Sequence, residues 1–514
     1  MRWWAIVWCV LGLVLATQSK RAAGAAVDPQ LKARVEKIIA ELSDQDQKVR
    51  ERADVKLRNL PLPAYPLVTA IYGREQEALD PEARRRIEGS IEMFKALAVI
   101  DQREQKYWAW MQAHLLQAYD QKSTRNPKWN EPAREAIVLA TTWSRDPAQT
   151  DRMRDCFAKA TEAGCDDGLL LYYYGLFYST EPGAQDRRTL ELLTQAVVGV
   201  CDRSDYPDWI RCLVASQAEM LLNRRPELKV GQFSRELPGD YTPSQFFELI
   251  TPQDGLPDRL LFEMAEMISR QDGNLGAKHW YEQLAKPFAL CAADPVYPQI
   301  FKAMCDLRHA LVVDQIPGRH VAQDQEQLLA AAQTVLEKAY VMDSQLSIIP
   351  REMMRILFAR GTSREAIDRW FKRAMAVNPD DFEACTLMLE ALPTKEKLDF
   401  GRQCLAGQNW RGRLPIILVH AHEAVGNAVD DKANYWLHPQ VWKDVEQVYK
   451  TYLELYPDSV EDRSNFALLA NRCGEYAEAD RQFDILGDKP SLKVFGSMAS
   501  YDYQRKKAAK NVVQ

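Results

Sequence analysis

The sequence contains little glycine and lacks the motifs of common catalytic sites. Glycine supplies 23 of the 514 residues, below the usual share of about 7%, which indicates few tight turns. The sequence contains no G-x-S-x-G, H-E-x-x-H, Walker or G-x-G-x-x-G motif. We therefore predict no catalytic and no cofactor-binding residue, and the sequence favours a non-enzymatic protein.

The sequence also has no excess of positive charge. Its net charge is −6 at pH 7. Removal of residues 1–26 would take away Arg2, Lys20 and Arg21 and no acidic residue, which leaves 63 basic and 72 acidic residues and a net charge of −9. Because an acidic protein binds polyanions poorly, we expect neither nucleic acid nor an anionic membrane as a partner.

The first 26 residues have the features of a secretory signal peptide. Arg2 provides the positive start. The apolar run from Trp3 to Ala16 is about 14 residues long, shorter than the roughly 20 that span a membrane. Small residues near Ala16 and near Ala26 offer two alternative cleavage sites. We predict an exported protein, periplasmic or extracellular after cleavage, with no membrane span in the mature chain.

Nine cysteines follow this leader, and eight of them form four pairs that are close in sequence. The pairs are 156 and 165, 201 and 212, 291 and 305, and 385 and 404. An oxidising compartment permits disulfides, but sequence spacing does not fix the geometry that a disulfide needs. We favour buried, apolar cysteines at helix contacts and leave the disulfides open. The sequence has no Cys-x-x-Cys, so neither a zinc ribbon nor a thioredoxin-type site is indicated.

Apolar residues recur at helical spacing along nearly the whole chain. This pattern predicts an all-α fold with more than 60% helix. Residues 27–100 contain four short helices, one of which begins at Asp80-Pro81. Within this region the strings DQDQKVRERADVKLRNL and LPAYPLVTAI loosely resemble one HEAT-like helix pair. Residues 101–320 form a helical array with an irregular insertion at 226–257, where glycine and proline accumulate.

Two helices in this array are distinctive, one for its length and one for its composition. The first is predicted to run from about Asp101 to Gln121. The other, Leu169–Tyr178, reads LLLYYYGLFY. We interpret it as a buried helix with Gly175 at a close helix crossing, the alternative being an aromatic cofactor site; aromatic residues at helical spacing usually belong to a core.

Residues 321–514 contain the clearest repeat. The segment from Val460 to Leu486 has the apolar, small and aromatic residues of a TPR helix pair, namely Phe466, Ala467, Ala470, Gly474, Tyr476, Ala479 and Phe483. Arg463 stands where the TPR pattern usually has tryptophan. Tyr449 and Pro457 lie eight residues apart, as do Phe371 and Pro379, which is the spacing of the aromatic and proline positions of a TPR second helix, and residues 328–344 fit more weakly. The linkers between these fits vary in length, so we predict an α-solenoid of degenerate, TPR-like antiparallel helix pairs.

Residues 363–490 also show a narrower resemblance. The strings FGRQCLAGQNWRGRLPIILVHAHEAV, YWLHPQVWKDVEQVYKTYLELYPD and DRSNFALLANRCGEYAEADRQFDILGD resemble an uncharacterised bacterial helical-repeat family that carries a domain of unknown function. The resemblance implies a helical-repeat fold and no particular activity.

One polar cluster could hold a metal. It comprises His420, His422, Glu423 and, further on, His438, and imidazole and carboxylate groups are zinc ligands. However, residues i and i+2 of a helix point to different faces. We therefore predict structural histidines and no metal ligand.

These observations favour a binding function. Stacked helix pairs present an extended surface that suits a peptide or a protein segment. The alternatives are an exported metal-dependent hydrolase with a site near His420, and a purely structural envelope protein.

Overall fold

The structure is a computed structural model that describes residues 29–121, 126–142, 147–179, 186–201, 206–223, 243–270, 277–311 and 321–512. Helices account for 82% of these residues, in 25 α-helices and three short 3-10 helices, and the described residues contain no strand. The predicted all-α solenoid of TPR-like helix pairs is confirmed. The predicted signal peptide lies outside the described residues.

The chain divides into two compact units between Ala98 and Val99. The helices of the first unit are α1 (Pro29–Glu41), α2 (Gln47–Arg58), α3 (Tyr65–Glu75) and the first half of α4 (Pro81–Gln121). Asp46 caps α2 by accepting a hydrogen bond from the amide of Lys48, and Asp80 caps α4 through the amide of Ala83. The apolar faces of these helices form a separate core.

The helix that we predicted from about Asp101 is longer than expected. Helix α4 is continuous over 41 residues from Pro81. Beyond Gly89 its sequence contains neither glycine nor proline, so nothing ends the helix at the position where we placed a boundary.

The second unit continues with the rest of α4 and a series of shorter helices. They are α5 (Pro127–Ala140), α6 (Pro147–Glu162), α7 (Gly168–Tyr178), α8 (Asp186–Cys201), α9 (Asp208–Asn223), α10 (Pro243–Leu249), α11 (Asp258–Ser269), α12 (Ala277–Cys291) and α13 (Val296–Ala310). The part of the predicted irregular insertion up to residue 242 lies outside the described residues. The rest of it includes α10.

The C-terminal part of this unit contains the TPR-like pairs. Its helices are α14 (Val321–Met342), α15 (Ile348–Ala359), α16 (Arg364–Val377), α17 (Phe382–Ala391), α18 (Thr394–Ala406), α19 (Ile417–Ala428), α20 (Lys432–Trp436), α21 (Pro439–Leu455), α22 (Val460–Arg472), α23 (Tyr476–Leu486), α24 (Leu492–Phe495) and α25 (Met498–Val512). Helices α13, α15, α17 and α19 each pack on the next, so they form a continuous row of first helices.

The pair α22–α23 follows the sequence prediction closely. Gly474 ends α22 with a φ of 79°, a left-handed conformation that favours glycine. Ala479 and Phe483 of α23 are fully buried. The Phe483 ring contacts Phe495 and Tyr501 of the next two helices, so it fills the space between neighbouring helix pairs.

Candidate binding site

A pocket of about 460 Å³ lies beside His422 between α18, α19, α20 and α21. We call it the His422 pocket. The lining residues are Leu398, Arg402, His422, Val429, Asp431, Asn434, Tyr435, His438, Gln440 and Val441. Its volume is within the range of small-ligand sites, and it combines an apolar wall with several polar groups.

The His422 ring is held between two partners. It is 2% exposed. Its Nδ1 lies 2.8 Å from the Tyr435 hydroxyl oxygen, and its Nε2 lies 3.1 Å from Oδ2 of Asp444. Burial lowers the pKa of His422 and outweighs the opposing effect of Asp444, so the ring is neutral at pH 7. Since a carboxylate only accepts hydrogen bonds, Nε2 carries the proton and Nδ1 accepts from Tyr435.

Asp444 is the polar centre behind the pocket. Its Oδ1 accepts a hydrogen bond from Nε2 of Gln440 at 2.7 Å. The guanidinium of Arg402 lies 3.5 Å from Oδ2 of Asp444 and 3.6 Å from Oδ1 of Asp399, so neither ion pair is close. The Arg402 side chain is 46% exposed. Its guanidinium is therefore loosely held and retains donors for a ligand.

The chain of Asp444, His422 and Tyr435 lacks an activated nucleophile. Burial, reinforced by Asp444, raises the pKa of Tyr435 to about 12, so its hydroxyl stays protonated at pH 7. A nucleophile is activated when its pKa is lowered toward the working pH, which is the opposite of the effect of burial on Tyr435. This arrangement positions hydrogen-bonding groups, with the Tyr435 oxygen able to accept a further hydrogen bond from a ligand.

Buried thiols elsewhere in the described chain are equally inert. Burial raises the pKa of Cys212, Cys305 and Cys473 to about 12 each, and a thiol in that state is a poor nucleophile. The burial of these three cysteines agrees with the apolar role that we favoured.

The predicted histidine cluster does not converge on one point. The His420 ring packs edge-on against Phe382, with 5.5 Å between the ring centroids, whereas His422 points toward Tyr435 and Asp444. His438 caps α21 by accepting from the amide of Gln440. In the part of the chain that the structure describes, no three His, Cys, Asp or Glu side chains are grouped in a way that could hold a metal ion.

Sequence reasoning did not identify Arg402, Tyr435 and Asp444 as partners of His422. They belong to no motif, and only the packing of α18, α20 and α21 around α19 brings them together. These three residues share one feature: each is polar and lies on a helix whose inner face is otherwise apolar. That feature can be recognised only once the helix pairs are assembled.

Comparison with known proteins finds no family for this chain and only low structural similarity. No family model matches this sequence, and no curated protein shows significant similarity to it. Among solved structures, a human IFIT1 dimer with m7Gppp-AAAA has a TM-score of 0.34 and 13% identity, covering 89% of this chain and 93% of that one. A human IFIT1 dimer with PPP-AAAA has a TM-score of 0.33 and 12% identity, covering 93% and 100%. The resemblance of residues 363–490 to a bacterial family stays a prediction.

Among the described residues, none of the helices combines the length and the apolar character that crossing a bilayer requires.

Proposed function

We propose that this is an exported, non-enzymatic helical-repeat protein that binds an extended segment of a protein partner. The observation that supports this function is the composition of the His422 pocket. Leu398, Val429 and Val441 give it an apolar wall, while donors and acceptors line the rest. A bound peptide needs an apolar surface for its side chain, and hydrogen-bonding groups for its backbone, so this lining suits it.

The polar groups of the His422 pocket suit both halves of a peptide bond. Nδ1 of His438 accepts from the backbone, which leaves Nε2 as a donor, and Arg402 is a second donor. The Tyr435 oxygen is an acceptor for a peptide N–H. Because both kinds of group are present, a peptide can pair its C=O and its N–H without leaving either unsatisfied.

Nucleic acid suits this chain less well. The solved IFIT1 structures contain m7Gppp-AAAA or PPP-AAAA, but the net charge here is −6 at pH 7, and removal of the predicted leader makes it more negative. Phosphate binding requires clustered positive charge, whereas Arg402 shares the His422 pocket with Asp431 and lies beside Asp444. A protein or peptide partner is therefore our proposal.

The peptide proposal can be tested with defined ligands. We would select peptides from a random display library on the mature chain and measure their Kd by calorimetry. Val441→Asp should weaken binding about tenfold or more, since it places an unpaired charge in the apolar wall. Arg505→Ala, which removes an arginine outside the His422 pocket, is the matched control. Selected peptides that bind Val441→Asp and wild type equally would place the interaction elsewhere.

The hydrolase alternative makes an opposite prediction about metal. We expect native mass spectrometry of the purified wild type to show no stoichiometric zinc, and His420→Ala to affect only the packing against Phe382. Stoichiometric zinc that His420→Ala loses would replace the binding function by the hydrolase.

Export has its own test. N-terminal sequencing of the protein from an envelope fraction should give a start near Thr17 or at Ala26 to Val27. An intact Met1 on protein recovered from the cytosol would contradict export.

A further inference from the structure

The second unit contains a second cavity, of about 410 Å³, away from the His422 pocket. We call it the aromatic cavity. Its lining is Tyr107, Trp108, Met111, Ala140, Met153, Tyr172, Tyr173, Leu176, Phe177, Leu213, Gln217 and Glu263. Five of these are aromatic and two are methionine. Its volume lies within the range of small-ligand sites, which are lined mainly by hydrophobic and aromatic side chains.

The sequence explains why the aromatic groups face one another. Tyr107, Trp108 and Met111 recur at helical spacing on α4, and Tyr172, Tyr173, Leu176 and Phe177 recur in the same way on α7. We interpreted the aromatic run of α7 as core. Its buried rings do belong to the main core, but some of them also form a wall of the aromatic cavity.

Some polar groups of the aromatic cavity are already paired. The Tyr107 hydroxyl donates to Oε2 of Glu263 at 2.6 Å, and the Tyr172 hydroxyl donates to Oε1 of Gln217. The Tyr173 hydroxyl and the amide nitrogen of Gln217 have no hydrogen-bond partner within the described chain. They are available to a ligand that carries one polar group.

Among the residues that line the aromatic cavity, Glu263 alone has an acidic or basic side chain, and Arg154, which lies over the Phe177 ring, is paired with Asp151. Glu263 and Glu104 share one cation, because Arg259 donates from Nε to Glu263 at 2.8 Å and from a terminal nitrogen to Glu104 at 2.5 Å. The second oxygen of Glu104 is buried and has no hydrogen-bond partner in the described residues. Two carboxylates therefore face one guanidinium, and the neighbouring Arg103 is matched by Asp343.

The aromatic rings are also suited to a positive charge. Cζ of Arg259 lies 4.3 Å from the centroid of the Tyr107 ring, a cation–π distance. An anion would be repelled by the carboxylates. A primary ammonium carries three donors, each of which needs an acceptor, whereas most of the lining of the aromatic cavity is aromatic or aliphatic. An alkylated ammonium has a positive charge, apolar methyl groups and few or no donors.

From this composition and charge we propose that the aromatic cavity binds a small organic cation with an alkylated ammonium group and one hydrogen-bonding group. The rings of Tyr107, Trp108, Tyr173 and Phe177 contact the methyl groups, the excess negative charge of Glu104 and Glu263 favours the cation, and Gln217 pairs with the polar group. This is a site of its own and does not depend on peptide binding at the His422 pocket.

Choline and its neutral isostere 3,3-dimethylbutan-1-ol test the proposal, because they share a shape and differ in charge. We would titrate each into the full mature chain and measure Kd by calorimetry or ligand-observed NMR. Choline should bind about tenfold or more tightly than the isostere. Equal affinities, or no binding of either compound, would overturn the proposal.

Two variants locate the binding. Glu104→Gln keeps an acceptor for Arg259 but removes the excess charge, so it should weaken choline about fivefold to tenfold and leave the isostere unchanged. Glu92→Gln, at an exposed acid of the same helix, is the matched control. Trp108→Leu should remove most of the preference for choline. Circular dichroism melts confirm that each variant is folded, and choline binding that is unaffected by both Glu104→Gln and Trp108→Leu would contradict the site.

Discussion

The helix pairs α7–α8 and α22–α23 are both closely packed, but they achieve this with different residues. In α7–α8, a Cβ added to Gly168 would lie 2.6 Å from the backbone nitrogen of Val200, and one added to Gly199 would lie 2.9 Å from Cα of Gly168. In α22–α23, the fully buried Ala467, Ala470 and Ala479 form the contact. The first crossing excludes every side chain, whereas the second leaves room for a methyl group.

The strongest test of this comparison is Gly168→Ala. The new methyl group would meet backbone atoms of α8 at under 3 Å, and backbone cannot move aside as a flexible side chain can. We expect a loss of about 3 kcal/mol or more in the free energy of unfolding, measured by urea denaturation followed by circular dichroism.

Gly89→Ala is the matched control for Gly168→Ala. Gly89 lies inside α4, where an added Cβ would have no atom within 4 Å. This variant should be stabilised by about 0.5–1 kcal/mol, because alanine has the higher helix propensity. A Gly168→Ala protein that unfolds like wild type would show that the α7–α8 crossing is not as close as the structure has it.

The second test is Ala479→Trp, which overfills the alanine crossing. Ala479 is fully buried against α22, so we expect a loss of about 1–3 kcal/mol in the free energy of unfolding. Ala477→Trp is the control on the same helix, since Ala477 is exposed. If Ala479→Trp melts at the wild-type temperature, the assignment of a TPR-like pair to 460–486 is wrong.

The same contrast explains how much of the fold the sequence predicts. The spacing of Gly474, Ala479 and Phe483 is local, so the C-terminal pair is recognisable from one stretch of chain. Gly175 was predicted at a close crossing, and a Cβ there would lie 2.8 Å from the Leu193 side chain. The tighter crossing of Gly168 with Gly199 was not predicted, because it depends on how two separate helices meet.

The two cavities are less predictable than the helices. His422 was singled out for its residue type, but its partners Tyr435 and Asp444 are defined by the packing of three helices. In the aromatic cavity, Tyr107 on α4 and Tyr172 on α7 each belong to a row of apolar residues that has the helical spacing of an ordinary core. Periodicity shows which side of a helix is buried, but it does not show where two buried faces leave a space.

The third test concerns pH. Burial lowers the pKa of His422, so below about pH 6.5 the unfolded chain takes up a proton that the folded protein resists. The stability associated with the neutral ring is present above that pH and is lost as the pH falls through the lowered pKa. The melting temperature of His422→Asn should therefore fall less between pH 7.5 and 5.5 than that of wild type.

His438→Asn is the control for this pH series, since His438 is exposed. At pH 7.5, His422→Asn should lose about 1–3 kcal/mol, because Tyr435 and Asp444 lose a buried partner. A His422→Asn protein with the full wild-type dependence on pH would show that this ring is not the group that resists protonation.

The smallest expected effect tests how the C-terminal pair tolerates its departure from the TPR pattern. Arg463 stands in the usual tryptophan position and donates to Oε1 of Gln482 at 2.8 Å and to the carbonyl oxygen of Pro457 at 2.7 Å. Gln482 is on α23 and Pro457 precedes α22, so the guanidinium joins the two ends of the pair by hydrogen bonds where the pattern has an apolar contact. Arg463→Ala should lose about 0.5–1.5 kcal/mol in the free energy of unfolding.

Arg505→Ala is the control for Arg463→Ala. It removes a 3.2 Å ion pair with Asp484 at the surface and should lose less than about 0.5 kcal/mol. Equal melting temperatures for these two variants would mean that the buried alanines and Phe483 alone hold α22 against α23.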